Sequence, residues 1–279
     1  MGGRPPDRLV QVSSESRGEF GDSPRREPVF RVLELIATGI VRWQKMDLRF
    51  DGLDNIPADG GAVLVINHTS YVDFLPAAYG VYQAGRRTRF MIKSEMMDIA
   101  IMRFLITHTG TVPVDRSQGV EAYRAAVASL RDGRIVAVYP EATISRSFEL
   151  KDFKSGAVRM AAEAGVPLIP TIVWGAQRQW TKGGKRDMGR SRIPVRVRYG
   201  APISVAADTD PGQMISQVRE VMREQLVRVQ DDYGPHPAGE FWVPHRLGGS
   251  APTPEEAAVI EKDEAERKAA ARERKANGE

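Results

Sequence analysis

The sequence predicts a single α/β domain: a twisted mixed sheet flanked by helices, with an amphipathic helix at its N-terminal side. Three observations carry this. Strand-like and helix-like segments alternate along the chain, which is the pattern of one layered α/β unit and not of two separate domains. Of the 279 residues, 42% are hydrophobic, enough for one sizeable core with appendages. The run Ala62-Val63-Leu64-Val65-Ile66 has no polar member, as a strand buried in a sheet requires.

Taken in order, residues 1–26 are rich in Gly, Pro, Ser, Arg and acids and read as a disordered leader. Residues 27–48 form the amphipathic helix. Val29, Phe30, Val32, Leu33, Ile36 and Ile40 recur near helical spacing, Trp43 stands close to the end, and Arg31, Glu34 and Arg42 punctuate the pattern. This helix either packs on the domain or lies on lipid. The α/β domain spans 49–235. Its first strand is 62–67, bounded upstream by Asp59-Gly60-Gly61, and a helix over 71–82 follows, with Ser70 as its N-cap. A strand over 87–92 leads into a helix over 94–108 with an apolar stretch from Met96 to Ile106. That stretch either joins the core or dips into a membrane leaflet. A short strand over 111–114 comes next, then a helix over 119–131 ended by Gly133. The strand 135–139 runs into Pro140, the helix 154–164 stops at Gly165, strands follow over 168–174 and 194–199, and a helix covers 214–229. Residues 236–279 are a charged tail. From Thr253 it is Ala, Glu, Lys and Arg without an apolar stripe, with Asp263/Arg267 and Glu264/Lys268 at i, i+4. It reads as a solvated, fraying helix or disorder with no part in chemistry.

Composition narrows the function classes. A formal net charge of +4 and a pI near 9.4 favour anionic partners: a membrane surface, phosphorylated substrates or nucleic acid. The segment from Trp174 to Arg192 is basic, but the aromatics of the chain are scattered, at 7% overall, and no nucleic-acid motif appears, so nucleic acid is set aside. The absence of cysteine excludes disulfides, thiolate metal sites and a cysteine nucleophile. His68, His108, His236 and His245 show no metal-ligand spacing, so no metal is expected. No apolar signal-peptide core follows Met1, and Pro6 stands where a myristoylation pattern wants Ser or Thr. No run of 18 apolar residues exists, so membrane contact is expected to be peripheral.

Four segments fall at strand ends, where open α/β sheets place their sites. The first is Asn67-His68-Thr69-Ser70-Tyr71-Val72-Asp73. A histidine oriented by a carboxylate is a general base. Five residues apart on one helix, the two would point about 140° from each other. They converge only if His68 lies on the turn and Asp73 in the first turn of the following helix. Ser70-x-x-Asp73 is also an ordinary capping box, in which case His68 is an incidental loop histidine. The second segment is Gly110-Thr111-Val112-Pro113-Val114-Asp115-Arg116, where Arg116 suits bidentate capture of a phosphate or, alternatively, a surface ion pair with Asp115. The third is Tyr139-Pro140-Glu141-Ala142-Thr143-Ile144-Ser145-Arg146, followed by Phe153-Lys154-Ser155-Gly156. There Glu141 binds a substrate hydroxyl, orients a cation or begins a capped turn. The fourth, Val166-Pro167-Leu168-Ile169-Pro170, reads as packing and backbone geometry.

In this order the four segments resemble the glycerolipid acyltransferases, the lysophosphatidic acid acyltransferases and their relatives, over roughly residues 53–202. The family's N-H-x4-D block and its V-P-[LIV]-[IV]-P block are matched fully, and its V-D-R-like block is matched through Arg116. Lys93 stands where the family has a lysine after a strand. The F-P-E-G-T-R-S block is matched in part: Ala142 replaces the glycine, which limits positive φ, and Ile144 replaces the arginine. Arg146 and Lys154 are candidate substitutes for that cation.

The resemblance implies transfer of a long-chain acyl group from a thioester, acyl-CoA or acyl carrier protein, to a hydroxyl of 1-acyl-glycerol-3-phosphate. Glycerol-3-phosphate or another lipid is the alternative acceptor. No cofactor beyond the thioester co-substrate is implied. On this reading His68 and Asp73 are catalytic, and Arg116, Glu141, Thr143, Arg146, Lys154 and Lys93 bind substrate. With no cysteine and no G-x-S-x-G elbow, direct attack is expected without a covalent enzyme intermediate. The expected location is the cytoplasmic face of the cell membrane. The helix at 27–48 and the 96–106 stretch would meet lipid, and the segment from Trp174 to Arg192 would meet anionic headgroups or CoA phosphates, or is a solvated loop.

Overall fold

The computed structural model describes residues 28–93, 103, 107, 109, 112–114 and 119–276. The expectations for the leader at 1–26, for the 96–106 stretch and for Asp115 and Arg116 therefore lie outside the described residues, as does the Lys93 side chain.

Seven strands form one sheet: β1 (Asp47–Asp51), β2 (Ala62–Ile66), β3 (Thr88–Lys93), β4 (Val112–Val114), β5 (Ile135–Val138), β6 (Leu168–Trp174) and β7 (Pro194–Tyr199). Their spatial order is β1-β7-β6-β2-β5-β3-β4. The run β6, β2, β5, β3, β4 is parallel throughout. β7 joins β6 antiparallel and β1 joins β7 parallel, so the sheet is mixed, as expected. The helices are α1 (Pro28–Gln44), α2 (Phe74–Gln83), α3 (Gly119–Arg131), α4 (Gly156–Ala164), α5 (Pro211–Tyr233) and α6 (Pro254–Ala276).

The apolar run at 62–66 is continuous because β2 is buried on both faces. Val63 and Val65 enter one cluster with Val136, Leu168, Ile172 and residues of α3, α4 and α5. Ala62, Leu64 and Ile66 enter the other with Ala137, Ile169, Val173, β1 and α2. β1 was not anticipated; its Asp-Leu-Arg-Phe-Asp sequence buries only Leu48 and Phe50, a two-residue stripe too short to stand out. α2 sits close to the sheet because Gly80 has no side chain. A Cβ there would lie 2.1 Å from the Tyr199 hydroxyl, which donates to the Ala77 carbonyl at 2.6 Å.

One expectation needs correction. α2 begins at Phe74, three residues later than a Ser70 cap implies, because residues 71–73 make a separate turn first, with the Val72 N–H on the Ser70 hydroxyl and the Leu75 N–H on the Val72 carbonyl, both at 3.1 Å. Of the two readings of the tail, the structure shows the helix, largely exposed over Pro254–Ala276, with ion pairs to Arg146 and Lys151.

Candidate active site

The parallel strands open their C-terminal ends on one side, and β2 and β5 are neighbours there. Their register pairs Val65 with Val138. Three residues on from each, His68 and Glu141 lie side by side, and the His68 backbone N–H donates to Glu141 Oε1 at 2.9 Å. The chain leaves β2 through Asn67, whose side chain is buried and exchanges two hydrogen bonds with the Val173 backbone, at 3.1 and 2.7 Å. That anchors the base of the His68 turn to β6.

His68 and Asp73 meet. His68 Nδ1 lies 3.2 Å from Asp73 Oδ2, and the same oxygen accepts the backbone N–H groups of Thr69 and Ser70 at 2.8 and 2.7 Å. The Ser70 hydroxyl accepts the Val72 N–H at 3.1 Å. The capping-box and dyad readings thus describe one arrangement: Asp73 closes the turn backward onto Ser70 and holds the imidazole with the same oxygen. Two backbone N–H groups already donate to Oδ2, and the contact with Nδ1 suits the tautomer that has its hydrogen on Nδ1 and leaves Nε2 as the acceptor. Asp73 is fully buried while the His68 side chain is 20% exposed. Burial pushes the Asp73 carboxyl above its ordinary value, opposed by His68 and the amides of Ser70 and Thr69. Tyr139 stacks on the imidazole with ring centroids 4.1 Å apart.

The loop after β6 clamps this turn. The Tyr71 N–H donates to the Trp180 carbonyl at 3.0 Å, and Thr181 Oγ1 donates to the Thr69 carbonyl at 2.6 Å. Gly175 starts that loop at φ 102, and a Cβ there would lie 2.2 Å from the Pro194 carbonyl oxygen. The expectation that the segment from Trp174 onward is surface is corrected in its first half. Trp174, Gln177 and Gln179 are buried, and Arg178 is bound to the Tyr233 hydroxyl and stacked over Trp242. Lys185, Arg186, Arg190 and Arg192 are exposed.

Glu141 is buried and spends both oxygens on backbone, on His68 N and on Lys151 N at 3.3 Å. Burial pushes its carboxyl up to about 8. One of these bonds ties Glu141 to the turn that carries His68, a contact that none of the sequence alternatives named. Ala142 adopts φ 62, so alanine takes up the left-handed conformation that the sequence reading expected it to restrict. Ile144 is buried and supplies no cation. Thr143 Oγ1 accepts from Lys151 Nζ at 2.6 Å. Arg146 pairs with Glu264 of α6, and Lys151 with Glu261. Lys154 is exposed. Lys93 ends β3, paired with Val114. Sequence reasoning passed over Lys151, whose one signal was its place five residues beyond Arg146. It also passed over the two glutamates, which no local pattern connects to the site.

The arrangement is that of a histidine–carboxylate pair at the C-terminal end of a parallel run of strands. The family model described as Acyltransferase matches residues 47–174, from β1 to the end of β6. The chain is 30% identical over 183 residues to the 1-acyl-sn-glycerol-3-phosphate acyltransferase of Bacillus subtilis (strain 168), a match covering 64% of this chain and 85% of that protein. It is 28% identical over 154 residues to the chloroplastic 1-acyl-sn-glycerol-3-phosphate acyltransferase LPAT1 of Arabidopsis thaliana, covering 54% of this chain and 42% of that one. The chain spans about half the length of the plant and algal relatives it matches. The crystal structure of the 1-acyl-sn-glycerophosphate (LPA) acyltransferase PlsC from Thermotoga maritima superposes with a TM-score of 0.62, covering 75% of this chain and 83% of that one at 23% identity, and so shares the fold. The chain belongs to the 1-acyl-sn-glycerol-3-phosphate acyltransferase family.

Proposed function

We infer that the protein transfers a long-chain acyl group from acyl-CoA or an acyl carrier protein to the free hydroxyl of 1-acyl-glycerol-3-phosphate, giving phosphatidic acid. The observation that carries this is the His68–Asp73 contact of 3.2 Å, with Nδ1 committed to the carboxylate. As the acceptor oxygen attacks the thioester carbonyl carbon, His68 Nε2 takes its proton. Asp73 stabilises the imidazolium. Collapse of the tetrahedral adduct breaks the C–S bond, and the departing thiolate recovers the proton from Nε2. Glu141 is a positioning residue, since it holds the His68 backbone. Arg116 and Arg146 bind the acceptor phosphate, with Lys93, Thr143 and Lys154 as further contacts near it. Lys154 is the weakest of these, being exposed.

Both substrates carry long apolar chains, so the protein works at a membrane surface, on its cytoplasmic face. Among the described residues no helix is long and apolar enough to cross a membrane. α1 leaves Val32, Leu35, Ile36 and Trp43 more than half exposed, a surface suited to peripheral seating in one leaflet. The exposed Lys185, Arg186, Arg190 and Arg192 suit anionic headgroups.

The test is a panel with purified protein: palmitoyl- and oleoyl-thioesters of CoA and of acyl carrier protein, each with lysophosphatidic acid and with glycerol-3-phosphate, products read by mass spectrometry. Phosphatidic acid from lysophosphatidic acid is the expected product. Lysophosphatidic acid formed from glycerol-3-phosphate, with no phosphatidic acid, would reassign the acceptor.

A further inference from the structure

Beside the His68 turn, a cleft is lined by Tyr71, Arg146, Lys182, Gly183, Glu264 and Arg267. It is tied directly to the turn. Ser145 N–H donates to the His68 carbonyl at 2.8 Å, and Arg146 is the next residue. Thr181 Oγ1 donates to the Thr69 carbonyl, and Lys182 is the next residue. Tyr71 stands within the turn itself. Arg146 and Lys182 therefore gather at the mouth of the site on two short tethers, where Ile144 leaves no cation, and Lys151 joins them from the Glu141 loop, its N–H donating to Glu141 Oε2 and its Nζ to Thr143 Oγ1.

These cations are met by α6. Arg146 Nη2 donates to Glu264 Oε1, and Lys151 Nζ donates to Glu261 Oε2. Burial holds the Lys182 ammonium below its ordinary value; Glu261 and Glu264 oppose that, and Arg146 and Lys151 reinforce it. Lys182 thus lies within reach of all four of the other charges. Two carboxylates of α6 face three cations of the domain, with Arg267 of α6 also lining the cleft; a phosphate dianion would bring the charge of those two carboxylates to the same place.

α6 is weakly seated. Ala257 is its one buried apolar side chain among the described residues, while Val259 and Ile260 are exposed. A helix polar on all sides gains little from apolar packing, and its seat rests on ion pairs whose side chains are 17–31% exposed, open enough for salt to weaken them. The contacts that hold its middle are therefore the ones a competing anion would break.

We propose that Lys151 and Lys182 join Arg146 in binding the phosphate dianion of the acceptor, and that Glu261 and Glu264 occupy these cations in the free protein, making α6 a strap that the phosphorylated substrate displaces. This rests on the acyltransferase reading for the identity of the dianion, while the strap itself depends only on the ion pairs. Apparent affinity for the acceptor is then reduced by the fraction of molecules whose strap is open.

The test uses the full chain and the double variant Glu261→Gln/Glu264→Gln at low salt. If the strap is closed in nine molecules of ten, the variant lowers KM for lysophosphatidic acid about tenfold, leaves kcat unchanged, and leaves KM for a phosphate-free monoacylglycerol as it was. Amide hydrogen exchange provides the second readout. Inorganic phosphate at millimolar concentration accelerates exchange across 254–276 in the wild type, and this acceleration disappears in Arg146→Ala/Lys182→Ala. An unchanged or higher KM for lysophosphatidic acid overturns the proposal, as does exchange in α6 that ignores phosphate. A protein that turns over no lysophosphatidic acid but still releases α6 with phosphate keeps the strap and refutes only the acceptor.

Discussion

Replacing Asp73 by Asn separates the electrostatic part of the dyad from its geometry. With its amide oxygen toward Thr69 and Ser70, the asparagine keeps the two backbone hydrogen bonds of 2.8 and 2.7 Å and still accepts from His68 Nδ1. What it loses is the charge facing an imidazolium across 3.2 Å. At an effective dielectric of about 20, that pair is worth about 5 kcal/mol. The amide dipole recovers part of it, leaving a loss near 4 kcal/mol, or roughly 10³-fold in rate at about 1.4 kcal/mol per tenfold. The fold should barely notice. Burial already pushes this carboxyl upward, so a neutral isostere relieves desolvation while giving up charge-assisted bonds, and stability should move by about 1 kcal/mol or less. The assay is thiol release from oleoyl-CoA with lysophosphatidic acid as acceptor, with thermal unfolding run in parallel. Acyl transfer within tenfold of wild type, in a variant of unchanged melting temperature, would refute the role given to Asp73.

Two further substitutions address the turn after β5. Ala142→Gly should stabilise the protein by about 0.5–1 kcal/mol, because a left-handed alanine costs about 1–2 kcal/mol and the added chain entropy of glycine takes back about half; a melting temperature that falls would show that φ 62 is not strained. Glu141→Gln tests the buried carboxyl. Its folded value, about 8, lies above the ordinary 4.5. The stabilisation it brings is thus complete below pH 4.5 and lost as pH rises through 8, by at most about 5 kcal/mol. Denaturant midpoints of wild type should fall relative to Glu141→Gln between those pH values, and parallel curves would contradict this.

Much of this was legible in the chain because the informative signals are local. Five apolar residues in a row, β-branched in part and bounded by Gly60-Gly61 and Asn67, suit a strand buried on both faces, and His68 and Asp73 follow within seven residues of that run, so strand end, turn and the histidine–carboxylate pair could be read together. The neighbouring block was legible because β5 pairs with β2 in a register that continues past both strands. What could not be read was set by long-range pairing. The Ser70 hydroxyl finds carbonyls more than a hundred residues away, on Ala176 and Trp180, and these tie the His68 turn to the loop after β6. Trp174 and Arg178 looked like surface because basic residues surround them, yet an aromatic group formed by Tyr233, His236 and Trp242 takes them in. The polar tail offered no apolar stripe to predict its seat, and its glutamates are placed by charge alone.

The central claim is that His68, oriented by Asp73, is the base for acyl transfer to a phosphorylated glycerolipid. Its most direct test is the initial rate of His68→Ala on oleoyl-CoA and lysophosphatidic acid, with near-ultraviolet circular dichroism and melting temperature matched to wild type. A loss of at least about 10³-fold in kcat, at unchanged fold, is predicted. A folded His68→Ala protein that makes phosphatidic acid within tenfold of the wild-type rate would contradict it.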